Sequence, residues 1–248
     1  MPFTFSHPAI VLPFTYLPRK WFSLTGLIVG SLVPDFEYFI TMRLHSSYSH
    51  SILGIFWFDL PLGLLLAFIF HNVLRESLIN NLPKFLKSRL STYNQFDWNS
   101  YLKANWLVIV ISILIGTVSH IFWDSFTHSD GYFVKTIPEL TKVIHLVNIQ
   151  IPLYRVIQHT STLIGGLIIV FAILSLPADN KITGQFNFKY WGTLTGITLV
   201  IVVISFMSGL NYKILKHLII TIISSSLISL LLTSIIIGKS KRTGGNAV

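Results

Sequence analysis

The chain has 248 residues, of which 52% are hydrophobic and only 11% are charged, and its mean hydropathy is +0.68. A soluble domain carries about a quarter charged residues, so this composition excludes an ordinary soluble protein and indicates an integral membrane protein that lies in a lipid bilayer. The formal net charge of +9 fits basic loops beside anionic lipid rather than nucleic-acid binding, and the absence of cysteine excludes disulfides and thiolate metal sites.

The hydropathy pattern predicts five membrane-spanning helices. A helix needs about 20 mostly apolar residues to cross a bilayer. The segments that meet this requirement are 51–70, 106–123, 160–176, 190–211 and 218–238. The apolar segment 21–33 is too short to cross and is predicted to be a re-entrant or interfacial helix. We therefore predict an all-α fold, a multi-pass integral membrane helical bundle.

These spans also divide the chain. We expect residues 1–176 to form the metal-site region, 177–238 to form two C-terminal transmembrane helices, and 239–248 to be a basic disordered tail. The basic segment 71–105 is predicted to be a solvated loop rather than an amphipathic surface helix. Lysine and arginine number 8 on the side of the N-terminal region and 10 on the other side. The positive-inside rule then predicts a cytoplasmic C-terminus and a location in the inner, cytoplasmic membrane of the cell.

Three ionisable residues stand at the end of the second predicted span. His120 is the one ionisable residue between Trp106 and Trp123, and Asp124 and His128 follow it at intervals of four. Four residues are slightly more than one helical turn, so the three side chains would share one face of a continuing helix. Imidazole and carboxylate are ligands of zinc and related metals. The pattern favours a metal-binding or proton-handling role.

Other histidines and acids fall on the same predicted side of the membrane. They are His7, Asp35, Glu37, His45, His50, His145 and His159. Each has a structural explanation when taken alone, such as an Asp that caps a helix or a His that is hydrogen-bonded in a loop. Taken together, they predict one metal site. Asp59 lies within the first span and on the opposite helical face from His50, so its role stays open.

Several motifs spread along the chain support this grouping. They are Met1-Pro-Phe-Thr-Phe-Ser-His-Pro8, Gly30-Ser-Leu-Val-Pro-Asp35, Tyr48-Ser-His50, Phe58-Asp-Leu-Pro-Leu-Gly63, Ser119-His-Ile-Phe-Trp-Asp-Ser-Phe-Thr-His128 and Leu153-Tyr-Arg-Val-Ile-Gln-His159. With these motifs the chain resembles an uncharacterised bacterial membrane-protein family, domain of unknown function 4184. The family's description records no activity, so this resemblance implies a fold type without a reaction.

The order of the polar residues is more remotely similar to membrane-bound metal-dependent hydrolases, and through them to zinc-dependent phospholipase C and related single-strand nucleases. This similarity implies one or two divalent metal ions, and zinc is the first candidate. The ligands it implies are His7, Asp35, His50, His120, Asp124, His128 and His159. The position four residues after His159 is Leu163 instead of the glutamate those enzymes carry, so a three-metal cluster is not expected.

Three hypotheses follow for function. The first is a metal-dependent hydrolase of phosphoesters or lipid-like substrates, in which Asp35 and Glu37 are the candidate catalytic carboxylates, with Glu37 as a general base. The second is a non-enzymatic protein that transports or senses a metal ion or a proton, with Asp59 on the pathway. The third is a structural membrane protein without a metal site, which predicts that the candidate ligands are scattered in space.

Overall fold

The computed structural model describes residues 3–18, 20–44, 46–146, 149–183, 186–209 and 214–244. The chain is 78% helical, which confirms the all-α prediction. The α-helices are α1 (Leu24–Leu32), α2 (Phe36–Thr41), α3 (Ile52–Asn81), α4 (Lys84–Leu90), α5 (Trp98–Asp124), α6 (Tyr132–Thr136), α7 (Leu153–Leu174), α8 (Phe188–Met207) and α9 (Leu215–Gly244). Short 3-10 helices cover Thr4–Ile10, Leu12–Tyr16, Val33–Asp35, Ser91–Gln95 and Pro138–Thr141.

Five of these helices are long and apolar enough to cross a membrane, which indicates a multi-pass membrane protein. They are Ile52–Asn81, Trp98–Asp124, Leu153–Leu174, Phe188–Met207 and Leu215–Ile237. Their positions agree with the five predicted spans, and α1 confirms that the segment 21–33 forms a short helix.

One sequence prediction about a polar segment was wrong. The segment 71–105 is mostly helical, because α3 continues to Asn81 and is followed by α4 and by the start of α5. The predicted disordered tail at 239–248 stays a prediction: α9 extends as far as Gly244, and the last four residues lie outside the described residues. Hydropathy detects segments that suit lipid, so it does not register helices that continue into polar sequence.

The chain folds as two compact units. Unit 1 comprises Met1–Asp35, Ser47–Ala67 and Leu102–Ser175, and unit 2 comprises Phe36–Ser46, Phe68–Tyr101 and Leu176–Val248. Two of the boundaries between the units fall inside α3 and α5, and another falls between Ser175 and Leu176, just after α7. The predicted division of the chain near residue 176 stays a prediction.

Local sequence explains the irregular turns of α3. The helix begins at a cap in which the Ser51 hydroxyl accepts a hydrogen bond from the Gly54 amide at 3.0 Å. Its backbone is π-helical at Ile55–Asp59, just before Pro61. Proline has no N–H to donate to an earlier carbonyl, and a widened π turn is one way for a helix to accommodate this.

In unit 1, α1 lies close against α5 because both helices carry small residues where they meet. A Cβ on Gly26 would come within 2.7 Å of the Ser112 Cβ and 2.9 Å of the Ile109 carbonyl oxygen. A Cβ on Gly30 would overlap the backbone of Ile113. Glycines one turn apart allow this backbone approach in membrane helices. The contact fixes the end of α1, and therefore the following residues up to Asp35, beside α5.

The N-terminal 3-10 helix of unit 1 is held by α7. The Ser6 hydroxyl donates to the Thr162 carbonyl at 3.0 Å, and the Phe3 amide donates to the Thr162 hydroxyl at 3.0 Å. Gly165 leaves room for this approach, since a Cβ there would lie 2.8 Å from the Ser6 carbonyl oxygen. This docking places His7 in the interior of unit 1, where it is 4% exposed.

A small antiparallel hairpin precedes α7. Strand β1 (Val143–Leu146) pairs with β2 (Ile149–Pro152), and Val143 lies opposite Pro152. His145 lies on β1 with its side chain exposed.

Candidate metal centre

Four separate segments of unit 1 bring the predicted ligands together. His7 comes from the first 3-10 helix, Asp35 from the 3-10 helix after α1, and His50 from the turn before α3. His120 and Asp124 stand one turn apart at the end of α5. The hypothesis of a structural protein predicted that these side chains would be scattered, and the observed convergence does not support it.

Four of these side chains form the tightest group. One ligand atom from each of Asp35, His50, His120 and Asp124 lies within 4.8 Å of all the others. The Nε2 of His120 is 3.6 Å from Asp35 Oδ1 and 3.4 Å from Asp124 Oδ2. The Nε2 of His50 is 3.8 Å and 3.7 Å from the same two oxygens. The arrangement therefore alternates two imidazole nitrogens with two carboxylate oxygens.

These separations suit ligands of one ion better than direct hydrogen bonds. Hydrogen bonds between N–H and oxygen peak near 2.9–3.0 Å, and all four distances exceed this. Ligand bonds of about 2.0–2.2 Å in tetrahedral geometry place neighbouring ligand atoms about 3.3–3.6 Å apart. The four observed distances lie in or just beyond that range. This buried cluster of Asp and His residues could bind a metal ion.

The hydrogen-bonding state of the cluster agrees with this interpretation. Buried atoms with no hydrogen-bond partner among the described residues include Asp35 Oδ1, His120 Nε2 and both carboxylate oxygens of Asp124. Both ring nitrogens of His7 are in the same state. Buried polar groups without partners cost about 1–3 kcal/mol each. Their concentration at one point is what a bound cation would satisfy.

Surrounding groups hold the ligands in position. The His120 Nδ1 donates to the Ser31 carbonyl at 2.7 Å, which leaves Nε2 to face the cluster. The Thr4 hydroxyl donates to Asp35 Oδ2 at 2.6 Å, which leaves Oδ1 toward the cluster. Outer contacts of this kind orient metal ligands and tune their basicity.

The other oxygen of Asp124 faces a second pair of histidines. Its Oδ1 lies 3.4 Å from His7 Nε2 and 3.6 Å from His128 Nδ1. The His7 ring also stacks on the His120 ring, with centroids 3.7 Å apart and planes 15° from parallel. Asp124 therefore stands between two groups of imidazoles, with one oxygen toward each.

At three of these residues, electrostatics favour the protonation states that ligands need, namely neutral imidazole at His7 and His128 and ionised carboxylate at Asp35. Burial and the neighbouring His120 lower the pKa of His7 to about 3. Burial also lowers the pKa of His128, although Asp124 acts in the opposite direction. Burial alone would raise the pKa of Asp35, but His120 and His7 outweigh it and the pKa is lowered.

The cluster is closed on one side and open on the other. His120 and Asp35 have fully buried side chains, and that of Asp124 is 7% exposed. The side chains of His50 and His128 are 23% and 24% exposed. These two histidines are therefore the part of the cluster that meets the surface. Catalytic metal sites keep an open position, whereas structural sites are closed.

Other predicted residues lie elsewhere. His159 is exposed on α7, and no hydrogen bond or ion pair among the described residues joins it to the cluster, so its role as a ligand stays a prediction. Glu37 is buried in α2, at the beginning of unit 2, and its catalytic role also stays a prediction. His45 lies outside the described residues. Asp59 is fully buried in α3.

Thr4 and Ser31 hold cluster ligands in position but were not predicted from the sequence. Ser31 acts through its carbonyl oxygen, which any residue would supply, so no side-chain pattern could have revealed it. Thr4 lies one turn of 3-10 helix before His7, and a hydroxyl at that spacing is too common to be a signal by itself.

Comparison with curated proteins and with solved structures gave no match. A family model described as "Domain of unknown function (DUF4184)" matches residues 1–235. The match covers all of unit 1, unit 2 as far as Ile235 and every residue of the cluster. The chain therefore belongs to the DUF4184 family.

Proposed function

We propose that this protein is a membrane-embedded metal-dependent hydrolase that cleaves a phosphoester, with an amphiphilic or lipid-like molecule as its substrate. The observation that carries the proposal is the alternating group of Asp35, His50, His120 and Asp124. Among the described residues, Asp35 Oδ1, His120 Nε2 and both carboxylate oxygens of Asp124 have no hydrogen-bond partner, and the His50 side chain is partly exposed. A site that only stabilised the fold would not need that opening.

Zinc is the first candidate ion, because mixed imidazole and carboxylate ligands suit it. Asp35, His50, His120 and Asp124 would hold one ion, and a second would lie between Asp124 Oδ1, His7 and His128. When bound, divalent ions activate water as a nucleophile at neutral pH and stabilise the negative charge that develops on a phosphoester.

The protein's own residues prepare the site for this chemistry. Asp124 directs one oxygen to each group of histidines, so it would help to hold an ion in either group. Asp35 is fixed by Thr4, which removes its freedom to rotate. His7 and His120 are buried and would keep water away from their side of the cluster. His50 and His128 are partly exposed, so a substrate headgroup would approach from their side. Glu37 is the candidate general base.

Metal content tests the first part of the proposal. Purified wild-type protein should carry one or two zinc-like ions per chain, measured by mass spectrometry of the metal. His120→Ala and Asp124→Asn should lose them. His145→Ala and Asp179→Asn are matched controls on exposed residues and should retain them. Full retention of metal by both cluster variants would contradict the proposal.

Turnover tests the second part. Bis-p-nitrophenyl phosphate and phospholipids in mixed micelles are suitable substrates, because they separate plain phosphodiester cleavage from cleavage of a lipid. Hydrolysis should be abolished by a chelator and restored by zinc. Glu37→Gln should retain metal but lose most of the activity if Glu37 is the base.

A non-enzymatic role in metal-ion or proton transport is the second candidate, and one observation favours it. Asp59 is fully buried within a membrane-spanning helix of unit 1, and carboxylates in that position often mark ion pathways. This role predicts ion flux in vesicles that Asp59→Asn removes while the metal content of the cluster stays unchanged. Hydrolysis that survives Asp59→Asn would favour the enzyme instead.

A further inference from the structure

The last membrane helix, in unit 2, has its polar face turned inward. Among the described residues of α9, the buried positions are Ile220, Thr221, Ser224, Ser225, Ser229, Thr233 and Ser234. Six of these seven residues carry a hydroxyl group. Apart from Lys216 near its start, the exposed positions with described side chains are apolar, and they include Ile222, Ile228 and Leu232. This pattern is the reverse of a surface helix in a soluble protein.

Small residues alone would explain close helix packing, but the hydroxyl groups show a further property. The hydroxyl oxygens of Thr221, Ser224, Ser225, Thr233 and Ser234 are buried and have no hydrogen-bond partner among the described residues. On the same helix, the less buried Ser226 donates to the carbonyl of Ile222 at 2.8 Å. Local bonding to the backbone is thus available on this helix, but the inward hydroxyls do not use it.

Their spacing suits bridging molecules of water size. Thr221, Ser225, Ser229 and Thr233 follow one another at intervals of four. Neighbours at this interval are about 5–6 Å apart, which is too far for a direct hydrogen bond. Two hydrogen bonds of about 2.8 Å to one intervening water span that gap. Ser229 donates to the Leu194 carbonyl at 2.5 Å, and its oxygen remains able to accept from a water.

Two polar groups outside the row of hydroxyls extend it. Tyr190 on α8 is completely buried, and its hydroxyl also lacks a partner among the described residues. It lies one turn before Leu194, whose carbonyl meets Ser229, so in the antiparallel pair it stands toward the Thr233 end. At the other end, His217 lies one turn before Thr221, and its Nδ1 is buried without a described partner.

We propose that unit 2 holds a file of internal water molecules along the inward face of α9, from His217 to Tyr190, and that this file conducts protons. The distance from Thr221 to Ser234 along the helix is about 20 Å at 1.5 Å per residue, which is two thirds of a bilayer core of about 30 Å. Buried water typically makes about three hydrogen bonds to otherwise unsatisfied groups. A continuous file of water and hydroxyl groups passes a proton by successive transfers, in which each oxygen accepts one proton and releases another. This property is independent of the metal centre of unit 1.

Proton flux tests the proposal. Full-length protein in liposomes that contain a pH-sensitive dye should acidify when a potassium diffusion potential drives protons inward. The double variant Thr221→Val/Thr233→Val keeps the shape of both side chains but removes two hydroxyls, and it should reduce flux at least tenfold. Ser226→Ala is the matched control, since its hydroxyl is already bonded to the helix, and it should conduct like wild type. Wild-type flux equal to that of the double variant would overturn the proposal.

A second measurement uses wild-type protein, so it tests the proposal even if the double variant fails to fold. In wild-type protein with 13C-labelled threonine, water-edited solid-state NMR should transfer magnetisation from water to Thr221 and Thr233. Thr198 on α8 is the control, because its hydroxyl bonds to the Leu194 carbonyl at 2.8 Å. Transfer to Thr221 and Thr233 that is no faster than transfer to Thr198 would show a dry face and overturn the proposal. Neither result depends on metal loading or hydrolysis.

Discussion

The imidazoles of His7 and His120 stack face to face with ring centroids 3.7 Å apart, in the buried wall of the cluster. Two protonated imidazoles would repel each other at this distance. Burial and this neighbour together lower the pKa of His7 to about 3. Burial, with a smaller contribution from the stacked His120, therefore keeps His7 neutral at physiological pH, with a lone pair available on one of its nitrogens.

The first prediction concerns the pH dependence of metal-free stability. Between pH 3 and 6.5 the unfolded chain binds a proton at His7 that the folded protein does not, so stability should rise with pH in this window and fall as pH drops below 6.5. Lowering the pH from 6.5 to 5 should cost about 2 kcal/mol at this one group. Thermal unfolding in chelator should show the trend, and His7→Gln should flatten it. An identical pH slope in His7→Gln would contradict the assignment.

The second prediction concerns Thr4, which touches Asp35 but not the cluster's centre. Thr4→Val removes the hydrogen bond to Asp35 Oδ2 while keeping the shape of the side chain. Loss of such an orienting contact typically costs 10–100-fold in metal affinity, which competition with a chelating dye would measure. Thr15→Val is the control, because the Thr15 hydroxyl is exposed and bonds to the Leu12 carbonyl. Equal affinities in the two variants would argue against a role for Thr4.

The third prediction concerns ligand binding and stability. If the cluster binds metal, added zinc should raise the melting temperature of the metal-free protein, since a ligand at about 100 times its Kd stabilises the folded state by about 2.7 kcal/mol. His120→Ala should abolish the shift. His145→Ala, on an exposed strand, should shift like wild type. A shift that survives in His120→Ala would place the stabilising ion elsewhere.

The fourth prediction concerns the contact between α1 and α5. Gly30→Ala would push a methyl group into the backbone of Ile113 and should destabilise the protein by about 1–3 kcal/mol, as overpacking does. Metal affinity should fall as well, because Asp35 follows α1. Gly196→Ala on α8 meets no atom within 4 Å, so it should be neutral or stabilise by about 0.5–1 kcal/mol. Unfolding in detergent, followed by circular dichroism, measures both.

The apolar part of the fold was predictable because the bilayer imposes length and hydropathy on every span. Asn105 marks the point in α5 where prediction from hydropathy stops. Its backbone is not helical (φ −130°, ψ 28°) and interrupts α5, and the predicted span began at the next residue, Trp106. The polar first turns of α5 were missed because nothing in their hydropathy distinguishes a helix from a loop.

The candidate site was predictable in part for a different reason. His120 and Asp124 stand out because ionisable side chains are costly in an apolar helix. His7, Asp35 and His50 are distant in sequence and were grouped by membrane side and by family resemblance. The structure separates two sets of histidines around Asp124: the four-residue group faces its Oδ2, whereas His7 and His128 face its Oδ1. The spacing of residues along the sequence cannot predict which oxygen a histidine faces.

The separation of the ligands along the chain has a consequence for biosynthesis. During synthesis from the N-terminus, Asp35 and His50 emerge before α5 exists, so they cannot form the four-residue group by themselves. The group closes only after α5 has been inserted and has packed against α1. Metal loading of this group would therefore be a late event, and a bound ion would require the correct assembly of the early segments with the second long helix.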